Sequence, residues 1–121
     1  MAKKLRGHDF PAIIDPKAQI SPTTEFNQGT FIGAGAVIQV GSELGEFDVV
    51  GSNAVVGHDA VLGDFVNMGP GSVVAGGAKV KSGVSFYANA STMPRVTIGE
   101  DAKILAGASV REDVPAGASV S

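Results

Sequence analysis

The sequence predicts an all-β chain wound into a parallel β-helix of hexapeptide repeats, about five to six coils high. Three observations carry this expectation. A large apolar residue recurs at every sixth position, from Ile14, Ile20 and Phe26 through to Ile104 and Val110, and of these seventeen positions only Thr92 departs. A second column follows four residues behind the first, from Ala18 and Thr24 to Ala108 and Val114, and it is small almost throughout, with Asp48 the clear exception. The 17 glycines are spread along the chain rather than clustered, as many regular tight turns require.

Each element follows from that period. An amphipathic helix needs apolar spacings of three and four, and an ordinary half-buried strand alternates along its whole length. An unbroken six instead means a short strand and a corner, repeated. Three such units return the chain to its starting direction after 18 residues. Successive coils then stack at the sheet spacing of about 4.8 Å, giving a triangular prism roughly 27 Å tall. The large residue of each hexad points inward, where full burial contributes about 1.5–3 kcal/mol. The small residue fits where the chain bends. Residues 1–13, which include His8, are expected to form an N-terminal cap, 14–115 the β-helix and 116–121 a C-terminal tail, with Asp113 to Gly117 as a closing turn. Asp48, out of place in the small column, is expected to hydrogen-bond to Thr30 one coil below. Periodicity does not settle the hand of the helix, since parallel crossovers are usually right-handed.

Composition narrows the function classes. The chain has 121 residues, enough for one domain, and a net charge of −3, which argues against a nucleic-acid surface. It contains no cysteine, so disulfides and thiolate catalysis are excluded. Lys3, Lys4 and Arg6 make a basic start, but no apolar signal-peptide core follows them. No run approaches the roughly 18 apolar residues of a membrane span. A cytoplasmic location without membrane contact is expected.

The 18-residue coil also sorts the outward positions into three faces. One carries Glu25, Glu43, Lys79 and Lys81 and is expected to be wet. A second carries Val37, Val55 and Val73, and outward valines on consecutive coils call for a cover. The third carries Phe31, Val49, Asn67 and Ser85. Two apolar faces meeting at a corner of small or compact residues (Ala34-Gly35, Ser52-Asn53, Pro70-Gly71, Ala88-Asn89) suit a three-fold homotrimer.

The chemistry-bearing residues lie at another corner. His58 sits between the valine face and the charged face, and its column continues upward as Gly76 and Pro94. The coil above His58 thus presents the bare backbone of Gly76-Gly77, against which an extended ligand arm can lie. Asn67 is half a coil away, so it can share a cleft with His58 only across a subunit boundary.

The run Gly57-His58-Asp59, followed by Leu62-Gly63-Asp64-Phe65, Pro70-Gly71 and Gly76-Gly77, resembles the sialic acid O-acetyltransferase and bacillosamine N-acetyltransferase family of hexapeptide-repeat acyltransferases. The resemblance implies a left-handed β-helix, a trimer, acetyl-CoA as acyl donor and a sugar or nucleotide-sugar acceptor. It implies His58 as general base and Asp59 as the acid that orients the imidazole, with Gly76 and its neighbour Gly77 contributing backbone to acetyl-CoA binding. Family members often carry a second histidine, in contact with acetyl-CoA, where this chain has Asn67; asparagine can still donate a hydrogen bond there but cannot carry charge. The family usually has an N-terminal nucleotide-sugar-binding domain, whereas only about a dozen residues precede the first hexad here, so that domain is expected to be missing from this chain.

Two other readings fit or fail on the same residues. A non-catalytic trimeric scaffold, or one half of a two-domain enzyme, accounts for the hexads without using His58. A β-helical zinc enzyme does not fit, because such a site takes three histidines and the coils hold one, so no metal is expected. Gly33-Ala34-Gly35 has part of a dinucleotide fingerprint but not its strand–helix context, and reads as a corner.

Overall fold

The computed structural model describes residues 10–121, and in it the chain winds as a left-handed parallel β-helix of about six turns. Strands of two residues alternate with two-residue turns. The first face is a seven-stranded parallel sheet running from Ile13–Ile14 through Val49–Val50, Asn67–Met68 and Ser85–Phe86 to Ser119–Val120. The second is six-stranded, from Gln19–Ile20 through Val37–Ile38, Val55–Val56 and Val73–Val74 to Ser109–Val110. The third pairs Val61–Leu62, Lys79–Val80 and Thr97–Ile98, and single bridges carry it down to Glu25 and up to Val114. Registers such as Phe31↔Val49↔Asn67↔Ser85 give the 18-residue coil.

The core is the large column, now seen in section. Ile32, Val50, Met68 and Phe86 are fully buried from the first face, Ile38, Val56 and Val74 from the second, and Ile98 from the third. Thr92, the one departure in that column, is buried as well, and its hydroxyl accepts a hydrogen bond from the Ala75 N–H at 3.0 Å. The small column lies beneath the bends, with Ala36, Ala54, Ala60, Ala78 and Ala90 fully buried.

The corners are built on one conformation. From Gly29 to Gly107 the second residue of every turn has a positive φ, at intervals of six without a gap. Seven of these fourteen are glycine, the residue that pays no steric penalty there. The others include Asn53, Asp59, Asn89 and Asp101, whose short polar side chains tolerate the left-handed region, and the bulkier Phe47, Phe65 and Arg95. Phe10, Phe47 and Phe65 form an aromatic ladder up one corner, with ring centroids 5.4 and 5.5 Å apart.

The period slips once, near the top. Val114, expected in the small column, occupies the large one and bridges to Ile98, 16 residues earlier. The corner Arg111-Glu112-Asp113 is two residues short and has no left-handed residue; the next one comes at Gly117, ten after Gly107. Asp113 compensates, its carboxylate accepting from the Thr97 N–H at 2.8 Å in place of a strand carbonyl. Residues 116–121 carry a final strand, Ser119–Val120, in register with Lys103–Ile104. Of the expected N-terminal cap, residues 1–9 lie outside the described residues.

Asp48 also differs from expectation. Its buried carboxylate does not bond to Thr30 below, whose hydroxyl goes to the Asn27 carbonyl at 2.8 Å. Instead Oδ2 accepts from the Gly45 N–H at 2.7 Å, and Oδ1 accepts from the Val66 N–H of the coil above at 2.8 Å. Burial pushes the Asp48 carboxyl up to about 7, the two N–H donors oppose the rise, and the nearby Asp64 adds to it. A raised pKa means that the folded state binds the proton more tightly than the unfolded chain, so this group's stabilisation is complete at low pH and is lost as pH climbs to about 7. Thermal unfolding of the wild type should therefore show a loss on the order of 2–4 kcal/mol between pH 4 and pH 7.5 that Asp48→Asn does not show, the difference between the two curves being the readout.

Candidate active site

His58 and Asp59 are the two turn residues between the second and third faces, following the strand Val55–Val56. The turn follows Gly57, where a Cβ would press on the Gly76 amide and the Ala75 carbonyl carbon of the coil above. Asp59 takes the left-handed conformation at φ 58°, which swings its carboxylate beside the preceding imidazole. Its Oδ2 lies 3.2 Å from Nδ1 of His58. Both side chains are largely exposed in the single chain, at 62% and 71%. An ionised carboxylate only accepts, so Nδ1 is the donor and the neutral ring keeps Nε2 as its free acceptor.

The coils above and below fix the rest of the geometry. Below, the side-chain carbonyl of Gln39 accepts the His58 N–H at 3.0 Å. Above, Gly77 donates its N–H to the His58 carbonyl at 2.9 Å. The imidazole lies against Gly76 so closely that a Cβ there would fall on Nε2 and Cε1. The Gly76 N–H makes no hydrogen bond among the described residues. The free nitrogen of the ring and a free backbone donor therefore stand side by side. An open groove of about 580 Å³, lined by Gln19, Val37, Gln39, Val40 and His58, runs along the second face on the N-terminal side of the ring. On the C-terminal side the same corner carries Arg95, its stem over Gly77.

His58, Asp59, Gly76 and Gly77 are thus brought together within one chain. Asn67 is not: it is exposed on the first face, between Val49 and Ser85. Among the described residues no group of three His, Asp or Glu side chains is placed to hold a metal ion, and no helix is long and apolar enough to cross a membrane.

No protein-family model matches the sequence, and no curated protein does. Solved structures do. The acetyltransferase domain of PglB from Neisseria gonorrhoeae superposes with a TM-score of 0.91 and 32% identity over 93% of this chain and 55% of that one; it has also been solved in complex with acetyl coenzyme A. PerB from Caulobacter crescentus, solved in complex with CoA and GDP-perosamine, gives 0.90 and 33% over 93% and 55%. The chain is a hexapeptide-repeat β-helix similar to those of these acetyltransferases. It spans about half the length of these relatives. WeeI from Acinetobacter baumannii shares the fold at 24% identity and a TM-score of 0.87.

Within this β-helix, two contacts of the His58–Asp59 pair went unread in the sequence, those of Gln39 and Gly41. Gln39 holds the His58 amide, and Gly41 lies beneath the Asp59 carboxylate, where a Cβ would fall on Oδ1. The signal was present, because Gly41 is 18 residues before Asp59, but a coil has to be counted downward as well as upward to find it. The contact to Asp59 predicts that the neutral His58 ring carries its proton on Nδ1. Long-range 1H–15N spectra should show that tautomer as the dominant one in the wild type and a loss of the preference in Asp59→Asn.

Proposed function

We propose that the chain is the acetyl-transfer domain of an acetyl-CoA-dependent sugar acetyltransferase, with His58 as general base. The observation that carries the reading is the juxtaposition at one corner of a free Nε2, oriented by Asp59 through Nδ1, and the unpaired N–H of Gly76. Solved relatives that bind acetyl coenzyme A, or CoA with GDP-perosamine, support it.

The residues divide the chemistry between them. Nε2 of His58 takes the proton from the attacking amine or hydroxyl as the new bond to the thioester carbonyl carbon forms. Asp59 keeps Nδ1 protonated and stabilises the imidazolium that results. The Gly76 N–H is placed to donate to the carbonyl oxygen as it gains negative charge. When the C–S bond breaks, the imidazolium returns its proton to the departing thiolate, so the ring ends as it began. Arg95, farther along the same corner, offers a cation to the donor's phosphates. The groove beside Val37 and Gln39 gives the acceptor an approach along the second face.

The exposed geometry of a single chain leaves this site open to water, and a homotrimer closes it. Phe31 and Val49 on the first face are more than a third exposed, and Val37, Val55 and Val73 on the second are half-buried. Packing the first face of one subunit on the second face of the next covers both sets. It also brings Asn67 of the neighbour toward His58, where its amide can donate to the acetyl-CoA arm lying on Gly76 and Gly77.

His58→Ala should lower thiol release from acetyl-CoA by roughly 10²–10⁴-fold while leaving the sedimentation coefficient unchanged; undiminished release would remove His58 from the mechanism. Val55→Asp, which puts a charge in the middle of the covered face, should give monomers by sedimentation and lose activity with the assembly. Calorimetry separates this reading from a scaffold, which would neither bind acetyl-CoA nor gain thermal stability from it.

A further inference from the structure

The carboxylate of Asp59 comes to rest on the coil below, and the residue beneath it leaves it room. At the second position of a corner, a left-handed residue leans its side chain back toward the residue 18 positions earlier. For Asp59 that residue is Gly41, itself left-handed at φ 76°. A Cβ on Gly41 would fall on Oδ1 of Asp59, with Cγ next at 3.2 Å. The other oxygen, Oδ2, is the one that faces Nδ1 of His58. The same short stretch holds the backbone of the pair, since Gln39 Oε1 accepts from the His58 N–H and the Val40 carbonyl from the Asp59 N–H, each at 3.0 Å.

We propose that Gly41 is a positioning residue for acetyl transfer: its missing side chain is the space in which the Asp59 carboxylate settles to hold Nδ1 of His58. The inference rests on the reading of His58 as the base. Its reason is steric. A methyl group at 41 collides with the far end of a flexible side chain, so the coil survives and the carboxylate swings away. With Oδ1 displaced, Oδ2 no longer faces Nδ1, and the ring loses the contact that keeps Nε2 free of its proton. Gly41 acts on the chemistry through Asp59 and touches no reacting atom.

The prism contains its own control. Gly83, at φ 77°, lies beneath Asp101, at φ 60°, in the same way: a Cβ there would fall on Oδ1 of Asp101, with Cγ again at 3.2 Å. Asp101 follows Glu100, not a histidine. Gly83→Ala therefore puts the same left-handed alanine under the same kind of carboxylate, with no imidazole to disturb.

The test compares Gly41→Ala, Gly83→Ala, Asp59→Asn and the double variant Gly41→Ala/Asp59→Asn in the full chain. The readouts are thermal unfolding, 15N shifts of the His58 ring, and kcat and KM for thiol release from acetyl-CoA. Both alanine variants should lose a similar few degrees of Tm. Only Gly41→Ala should erase the Nδ1–H preference of the ring and lower kcat by roughly tenfold or more, with KM for acetyl-CoA held within about twofold. The double variant should be no slower than Asp59→Asn alone, because both changes remove one interaction. Should alanine unfold the chain, Gly41→Asn serves instead, since asparagine tolerates a positive φ and still carries a Cβ. A Gly41 variant with the wild-type ring signature, or losses that multiply in the double variant, overturns the proposal. A ring that responds to Gly41→Ala while His58→Ala turns over normally overturns the base assignment instead.

Discussion

One backbone constraint runs through most of this molecule: from Gly29 to Gly107 the second residue of every corner enters the left-handed region. A positive φ there redirects a strand onto the next face while keeping its carbonyls in line for the coil above, whereas the lower corners Pro16-Lys17 and Pro22-Thr23 turn without one. The constraint accounts for half of the described glycines, for the asparagines and aspartates that share their positions, and for the compactness of the core, since each corner brings the next large apolar residue inward after six. Above that run, between Val110 and Val114, the corner shortens by two residues and a side chain, Asp113, takes over a backbone hydrogen bond.

The same constraint builds the candidate site. Left-handed residues stack in columns 18 apart, and each lowers its side chain onto the one beneath. Asn53 over Gly35, Asn89 over Gly71 and Asp101 over Gly83 repeat the arrangement of Asp59 over Gly41. His58 makes one of these turns different. The ordinary stacking contact becomes an oriented carboxylate–imidazole pair because the residue before the left-handed position is a histidine, and because the coil above it offers Gly76 in place of a side chain. In the proposed transferase no special loop is needed, because the scaffold's repeating corner serves the chemistry at a single level.

In the proposed function, a prism with one wet face and two partly apolar ones lets such a shallow corner serve a reaction that must exclude water. The His58–Asp59 pair is exposed in the single chain, and the groove beside it is open along one side. In the proposed trimer the second face gains a wall when another copy's first face lies on it, so assembly and desolvation of the site become one event.

The hexad was legible from composition and spacing alone, because a period of six with a small residue four behind each large one admits one kind of chain path. His58, Asp59, Gly76 and Gly77 were also legible, since they fall on neighbouring turns of a column that can be counted in eighteens. Val114 was misplaced because a two-residue deletion in a corner leaves an apolar residue at a position that still looks periodic. Asp48 was paired with the wrong neighbour because sequence spacing ranks the coil below and the coil above equally, and only the direction of the side chain chooses between them. The sequence by itself determined the repeat, the three faces and the corner that holds the histidine. Tertiary structure alone decided which way each side chain leans along the prism axis, and so that Asp59 settles on Gly41 while the imidazole lies against Gly76. That lean is set by φ and by the space left in the adjoining coils, neither of which is written in a one-dimensional period.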